Sequence, residues 1–285
     1  MSKKYPSFSR RFKNYLMFTL TGICTLLVVS VLFTILAYLL WHGAHALNLN
    51  FFTKLPAPVG QAGGGVVNAI IGTLKLLVFA SLIGVPIGLI GGIYLSEFAG
   101  GWSGFAVRYT TDLLNGVPSV VMGIFVYTLV VLPMHHFSTF AGGVALGIMM
   151  IPIALRSTED FLRAVPRSLR EGGLALGASK SETIFTIVIP AAIYGILTGV
   201  MLDIARVAGE TAPLLFTAFG NQFDSPGWLQ PTSSLPVVIY NYAISPYDEW
   251  HQQAWAAGFV LLSGLLAISI LARVVLARGG KVSHG

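Results

Sequence analysis

Long apolar runs with few charges are the feature that most constrains how this chain can fold. The first run, residues 15–41, contains no formally charged side chain. A helix needs about 20 apolar residues to cross the hydrocarbon core of a bilayer. Only 10% of the 285 residues are charged, whereas soluble domains carry about 25% charged residues. The composition therefore indicates an integral membrane protein.

Six such runs predict an all-α membrane protein with six transmembrane helices. The fourth run is short and the fifth contains charged residues. The predicted core is residues 66–277, between predicted tails at residues 1–14 and 278–285. The predicted spans are residues 15–41, 66–95, 109–132, 140–155, 184–208 and 255–277.

The basic residues predict the orientation of these spans. Of the 17 Lys and Arg residues, 14 fall in segments that a six-span arrangement puts on one side of the membrane. Cytoplasmic loops carry an excess of Lys and Arg. Both termini and the polar loop of residues 156–183 are therefore predicted to be cytoplasmic.

That polar loop contains residues spaced as on one face of a helix. Arg163, Arg167, Arg170 and Glu171 recur at intervals of three and four, which places side chains on a shared helical face. Gly177 predicts a sharp bend between two short helices. From charge alone the loop could equally be an interfacial helix held by anionic lipid headgroups.

The spacing of small and apolar residues in this loop adds a more specific signal. It resembles the "EAA" loop of bacterial ABC importer permeases, with two glycines in place of the two alanines and Ile189 in place of the usual leucine. The resemblance implies an ABC type-1 (MetI-like) permease fold in which this loop contacts an ATPase subunit. The positions assigned to ATPase coupling are Glu171, Gly172, Gly173, Gly177, Ile187 and Pro190.

A second segment narrows the resemblance. Residues 206–215 read Arg-Val-Ala-Gly-Glu-Thr-Ala-Pro-Leu-Leu, which resembles a segment of the permease subunits of phosphate ABC importers. The resemblance implies a permease subunit in the bacterial cytoplasmic membrane. Its implied partners are a homologous permease, an ATPase dimer and an external phosphate-binding protein, with no nucleic acid.

No cofactor is expected in this chain itself. The sequence contains no Gly-x-x-x-x-Gly-Lys-Ser/Thr pattern, which is the phosphate-binding loop of many ATPases. ATP is therefore expected to be bound and hydrolysed by a partner subunit. The histidine pairs at 42/45 and 135/136 have the spacing of metal ligands but no acidic residue nearby in sequence, so no metal site is predicted.

Charged residues within the predicted spans are candidates for a substrate path. A charge at mid-bilayer costs about 2.5–3.5 kcal/mol on insertion scales, so such residues usually face a partner or a water-filled path. Arg206 could pair with phosphate oxygens through its planar fork of donors, with Glu210 neutralising it between transport events. Asp203, Arg206 and Glu210 could instead form an internal structural network or an outer gate. Lys75 could line the path or extend its side chain to the interface.

Two other functions remain open from the sequence. An ABC permease could carry a different oxyanion. An ion-coupled secondary transporter could use Asp203, Arg206 and Glu210 as a relay, although the inverted repeats common in such folds are not evident.

Overall fold

Helices make up nearly all the regular structure of the chain. The computed structural model describes residues 8–58, 61, 63–224 and 227–282. Within these residues it contains α-helices, π-helical turns and one isolated β-bridge between Pro56 and Gly64. The α-helices are α1 (Phe8–Gly43), α2 (Leu49–Thr53), α3 (Val67–Ile93), α4 (Gly101–Gly116), α5 (Ser119–Val126), α6 (Leu132–Met134), α7 (Thr139–Ala164), α8 (Arg167–Ala175), α9 (Lys180–Thr183), α10 (Ile189–Val207), α11 (Ala212–Thr217), α12 (Leu235–Ala243) and α13 (Asp248–Val282).

Five of the described helical stretches are long and apolar enough to cross a membrane. They contain α1, α3, α7, α10 and α13. A sixth span arises if α4 and the α5–α6 stretch are counted together, although the two are bent by 101°. The predicted tails fall partly outside the described residues, at 1–7 and 283–285, and helix α1 already begins at Phe8.

The third predicted span, residues 109–132, is wrong as a continuous helix. Helix α4 ends at Gly116 and α5 begins at Ser119. The reason is Pro118, because a residue that precedes proline is disfavoured in the α conformation. Val117 accordingly has an extended backbone, with φ −71° and ψ 126°. Asp112, near the start of this predicted span, lies inside α4.

The fourth predicted span, residues 140–155, was too short. Helix α7 runs on to Ala164 and takes in the first part of the polar loop predicted at residues 156–183. Its start is fixed by Ser138, whose side chain accepts a hydrogen bond from the Ala141 amide, as in helix N-caps generally. Its end coincides with Pro166, which cannot continue the α-helical hydrogen bonding.

The centre of the fold is the close contact between α3 and α7. Glycines on α3 face residues of α7 so closely that a Cβ added to Gly84 would lie 2.5 Å from the Cβ of Met150. A Cβ on Gly88 would overlap Ala154 in the same way. Small residues at helix interfaces in membranes allow the backbones to approach closely. These two helices therefore form one tightly packed pair.

The pair has two chemically different ends. At one end, here called the loop end, the Thr139 amide donates to the Gln230 carbonyl and the Phe140 amide to the Trp228 carbonyl. At the other, here called the charged end, Glu97 and Glu159 lie among basic side chains. Helix α10 runs from the charged end at Ile189 to the loop end at Val207.

Candidate functional site

The segment of residues 167–183, here called the α8–α9 segment, forms two short helices joined by a tight turn. Gly177 in this turn has φ +88°, a conformation that side chains other than glycine rarely adopt. Helix α9 then starts with a capping box in which Ser179 and Glu182 satisfy each other's backbone amides, the arrangement expected at a helix start. The predicted bend at Gly177 is confirmed.

The two adjacent glycines of this segment have different surroundings. A Cβ on Gly173 would lie 2.8 Å from Ile187 Cδ1 and 3.0 Å from Thr183 Oγ1. A Cβ on Gly172 would meet no atom within 4 Å. Gly173 therefore lets α8 pack directly on the start of the fifth span, and Gly172 leaves room on the outer surface.

The outer surface of α8 is partly apolar. Leu169 and Leu174 are 45% and 49% exposed, and Leu176 is 90% exposed. Glu171 is exposed as well. Leu162, near the end of the preceding helix α7, is fully buried and is not part of this surface.

Pro190 and Ile187 lie where the segment passes into the fifth span. Residues 184–188 form a π-helical turn and α10 begins directly after it. Pro190 follows this turn inside the continuous helical stretch Lys180–Val207, and local π-helical adjustments of this kind accommodate the hydrogen bond that proline cannot donate. Ile187 is half-buried against Gly173, while Pro190 is exposed.

The three arginines expected on one helical face come from two helices. Arg163 lies in α7, whereas Arg167 and Arg170 lie in α8, beyond the break at Pro166. The single-helix interpretation was therefore wrong. The fold still brings the three together, because they line one open cleft with Ser96 and Glu97.

A buried glutamate organises part of the charged end. The side chain of Glu159 is 1% exposed, and its Oε1 lies 2.7 Å from Arg108 Nε and 2.9 Å from Arg163 Nη2. Arg156 approaches the other oxygen at 3.4 Å. A buried carboxylate requires such partners, because an unpaired buried charge is strongly destabilising.

A second glutamate, Glu97, joins the α8–α9 segment to the end of the second span. Arg170 Nη2 lies 2.8 Å from its Oε1, and Arg170 Nε donates to its Oε2 at 3.4 Å. Lys180 Nζ donates to the Glu97 carbonyl at 2.6 Å. Sequence reasoning missed this pair, because its members are 73 positions apart. The available signal was an acidic residue closing an apolar span.

The candidate path residues lie towards the opposite, loop end of the fold. Arg206 is exposed in the last turn of α10. Its neighbour Val207 packs in the same core cluster as Leu76, so Arg206 and half-buried Lys75 lie at a similar depth.

The internal network considered for Asp203, Arg206 and Glu210 is not observed. No salt bridge among the described residues joins any two of them. Asp203 is 1% exposed, and neither carboxylate oxygen has a hydrogen-bond partner within the described residues. Glu210 does not continue the helical face of Arg206, because α10 ends at Val207. The four-residue spacing of Arg206 and Glu210 therefore does not place them on one helical face.

No group of three or more His, Cys, Asp or Glu side chains in the described residues could hold a metal ion.

Residues 84–279 match the family model of the binding-protein-dependent transport system inner membrane component. The chain belongs to this permease family. The match includes α7 to α12, the α8–α9 segment and Arg206. The exposed α8 surface and the Gly173 contact are therefore features of a transport permease.

The permease is similar over nearly its whole length to curated transport proteins. It is 43% identical over 270 residues to the phosphate transport system permease protein PstA of Yersinia pestis, a match that covers 94% of this chain and 92% of that protein. It is 43% identical over 268 residues to the PstA protein of Haemophilus influenzae, covering 93% and 94%.

A solved structure shows the same fold at low sequence similarity. A chain of the inward-facing MetNI methionine ABC transporter aligns with a TM-score of 0.55 and 17% identity, covering 76% of the permease and 94% of that chain. The predicted ABC type-1 fold is therefore confirmed, and the permease is a multi-pass membrane protein.

Proposed function

We propose that this permease is one of the two membrane subunits of an ATP-driven importer of inorganic phosphate. The observation that supports this most strongly is the 43% identity to PstA proteins over more than nine-tenths of the chain. Residues 206–215, which resemble the phosphate-importer segment, lie at the loop end of α10 and α11.

The α8–α9 segment would dock on the ATPase. Glu171 and the exposed leucines of α8 supply the polar and apolar contacts. The open space beside Gly172 permits close approach of another subunit, while Gly173, Ile187 and Pro190 join the segment to the fifth span. ATP is bound and hydrolysed by that separate subunit, and this chain requires no cofactor.

The anion path would use Arg206 first and Lys75 second. Arg206 is exposed on an apolar helix without a salt bridge among the described residues. A guanidinium group stays ionised and can donate two parallel hydrogen bonds to an oxyanion. Glu210 follows in the connecting turn and can approach only by a change in that turn. Asp203 is sealed inside the chain and would reach the path only after α10 moves.

The complete transporter would contain four kinds of subunit. This chain would pair with a homologous permease of the PstC type and with an ATPase dimer of the PstB type. A phosphate-binding protein of the PstS type would deliver the anion from outside. The permease would lie in the bacterial cytoplasmic membrane, among its lipids, with both termini and the α8–α9 segment in the cytoplasm.

Of the alternatives, import of another oxyanion shares all these features except the anion. Arginine donors also suit other oxyanions, so competition has to decide the substrate. The ion-coupled alternative has no support from the fold, since the chain belongs to a binding-protein-dependent permease family.

The test is uptake by the reconstituted complex in vesicles. With ATP inside and the phosphate-loaded binding protein outside, radiolabelled phosphate should accumulate. Accumulation should stop when a non-hydrolysable ATP analogue replaces ATP. Sulfate, molybdate or arsenate in excess should be used as competitors. Uptake that persists without ATP would contradict the ABC assignment, and preferential uptake of another oxyanion would change the substrate.

A further inference from the structure

We propose that the Glu97–Arg170 ion pair transmits movement of the α8–α9 segment to α3, with Glu97 as the positioning residue. The inference rests on the proposed function, because it assumes that an ATPase moves this segment. It assigns a role to a residue outside the motif that resembles the EAA loop.

The geometry of the pair fixes both distance and direction. Glu97 lies in the π-helical turn of residues 94–98 that ends the second span, and its side chain is only 6% exposed. Two nitrogens of Arg170 donate to its two carboxylate oxygens, at 2.8 and 3.4 Å. A two-point contact of this type restricts rotation as well as separation. The carboxylate is largely covered, whereas the side chain of Arg170 is 21% exposed and borders the open cleft.

Arg170 connects three parts of the fold at once. Besides Glu97, it donates to the carbonyl groups of Leu162 and Val165, at the end of α7. A shift of α8 therefore acts on the ends of α3 and α7 together. Glycines of α3 pack against side chains of α7. The two helices are therefore expected to move together.

Helix α9 holds the same turn from its other side. Lys180 Nζ donates to the Glu97 carbonyl, and the ammonium group lies 4.6 Å from the centre of the Phe98 ring. Cation–π contacts of this kind are attractive within about 6 Å. Helix α8 thus contacts Glu97 through Arg170, and α9 contacts Glu97 and Phe98 through Lys180.

The ion pair matters because α3 has no nearby covalent link to the segment. Helix α10 follows the segment directly in the chain, and Gly173 packs on its start. Helix α3, by contrast, ends more than 70 positions earlier. Movement can reach α10 through the backbone, but it reaches α3 through side chains.

The first experiment measures coupling in Glu97→Gln, which removes the charge while keeping the shape. Uptake of phosphate and hydrolysis of ATP are measured together in vesicles containing the complete complex. The number of phosphates imported per ATP should fall at least about tenfold, because the charge-assisted two-point contact is lost, while hydrolysis and subunit content persist. Asp112→Asn is the matched control, because it breaks an exposed pair with Arg156 at the same end and should leave the ratio unchanged.

A normal ratio in Glu97→Gln would overturn the proposal. So would a parallel fall of uptake and hydrolysis, which is the result of a purely structural role. If the wild-type complex does not import phosphate at all, the proposed function is wrong. That outcome is distinguishable from failure of the role proposed for the ion pair, which requires a wild-type complex that imports phosphate.

A covalent replacement tests the same role without the charges. Cys24 is the only cysteine in the sequence, so Glu97→Cys with Arg170→Cys can be built in a Cys24→Ser background. Before linkage the double variant should show the low ratio of Glu97→Gln. A short bifunctional maleimide joining the two cysteines should restore the ratio, because the mechanical link is remade. The proposal would be overturned if mass spectrometry verified the link but the number of phosphates imported per ATP did not recover. It would also be overturned if neither Glu97→Gln nor the double-cysteine variant assembled with the other subunits.

Discussion

Arg206 combines a permanent charge with a position on the surface of an apolar helix. Such an arrangement is costly in a bilayer unless the charge meets water, an anion or a partner subunit. The only described acidic residue one turn before it, Asp203, is turned into the chain and makes no salt bridge with it. The residue is thus available for an intermolecular contact.

Replacing Arg206 tests that contact directly. Arg206→Gln should lower phosphate uptake at least about tenfold, since a hydrogen bond to a charged group contributes about 1.5–3 kcal/mol. Arg206→Lys should restore uptake in part, because it keeps the charge and loses the planar fork. Radiolabelled uptake is measured in vesicles with verified subunit content. Near-normal uptake by Arg206→Gln would move the anion site to Lys75.

The exchange of Arg206 and Glu210 distinguishes a site from a structural pair. Because the two make no ion pair in this structure, the double variant Arg206→Glu with Glu210→Arg should transport no better than Arg206→Gln. Recovery of uptake in the exchanged protein would support the structural interpretation instead.

At the level of elements, the contact of α8 with the fifth span depends on one glycine. Gly173 is buried against Ile187 and Thr183, whereas its neighbour Gly172 is exposed. Both lie in the same short helix and have the same intrinsic helix propensity. A pair of identical substitutions can therefore separate packing from propensity.

Gly173→Val should destabilise the packing of α8 on the fifth span by about 1–3 kcal/mol, the usual cost of overpacking. Gly172→Val is the matched control within the chain, since its side chain would enter open space. The measurement is protease protection of the α8–α9 segment in membranes, together with co-purification of the ATPase. Equal protection in the two variants would contradict the packing role. If only Gly172→Val loses the ATPase, that glycine faces the partner subunit.

Sequence reasoning located the long elements well and their interruptions poorly. Spans are set by apolar length, a local property, and all but the third lie on continuous helical stretches. The break at Val117–Pro118 carried a local signal in its proline, but apolar residues on both sides suggested one span. The extension of α7 to Ala164 depends on arginines neutralised by Glu159, and the partner Arg108 comes from a distant part of the chain.

At the scale of the whole molecule, the two ends of the fold differ chemically, as the predicted orientation requires. The charged end gathers Arg108, Arg156, Arg163 and Arg170 around two carboxylates. The sequence predicted this side as basic, but not that much of the charge is neutralised within the chain. The residues of the Arg108–Glu159 and Glu97–Arg170 pairs are separated by 51 and 73 positions in the sequence. No local sequence pattern could therefore predict these ion pairs.

Reporter fusions test the orientation. A reporter that works only in the cytoplasm should be active when fused after Gly285 and inactive when inserted between Phe223 and Asp224, which are exposed near the loop end. A reporter that needs an external location should give the opposite pattern. Activity of both reporters on unexpected sides would invert the topology and remove the proposed access of the ATPase to α8.

The glycine contact between α3 and α7 also affects how a displacement at one end of the helix pair reaches the other end. Pro86 removes one backbone hydrogen bond within α3, but the contacts of Gly84 and Gly88 with α7 hold the helix on either side of it. A displacement at the charged end is therefore expected mainly as a tilt of the two helices together. Helix α3 has 27 residues, which corresponds to a length of about 40 Å at about 1.5 Å per residue. A tilt of about 5° would displace its opposite end by about 3.5 Å on this geometry, comparable with the separation of two atoms in contact. A small displacement at the charged end, which is the end predicted to face the cytoplasm, would therefore be large enough at the loop end to alter a passage between helices.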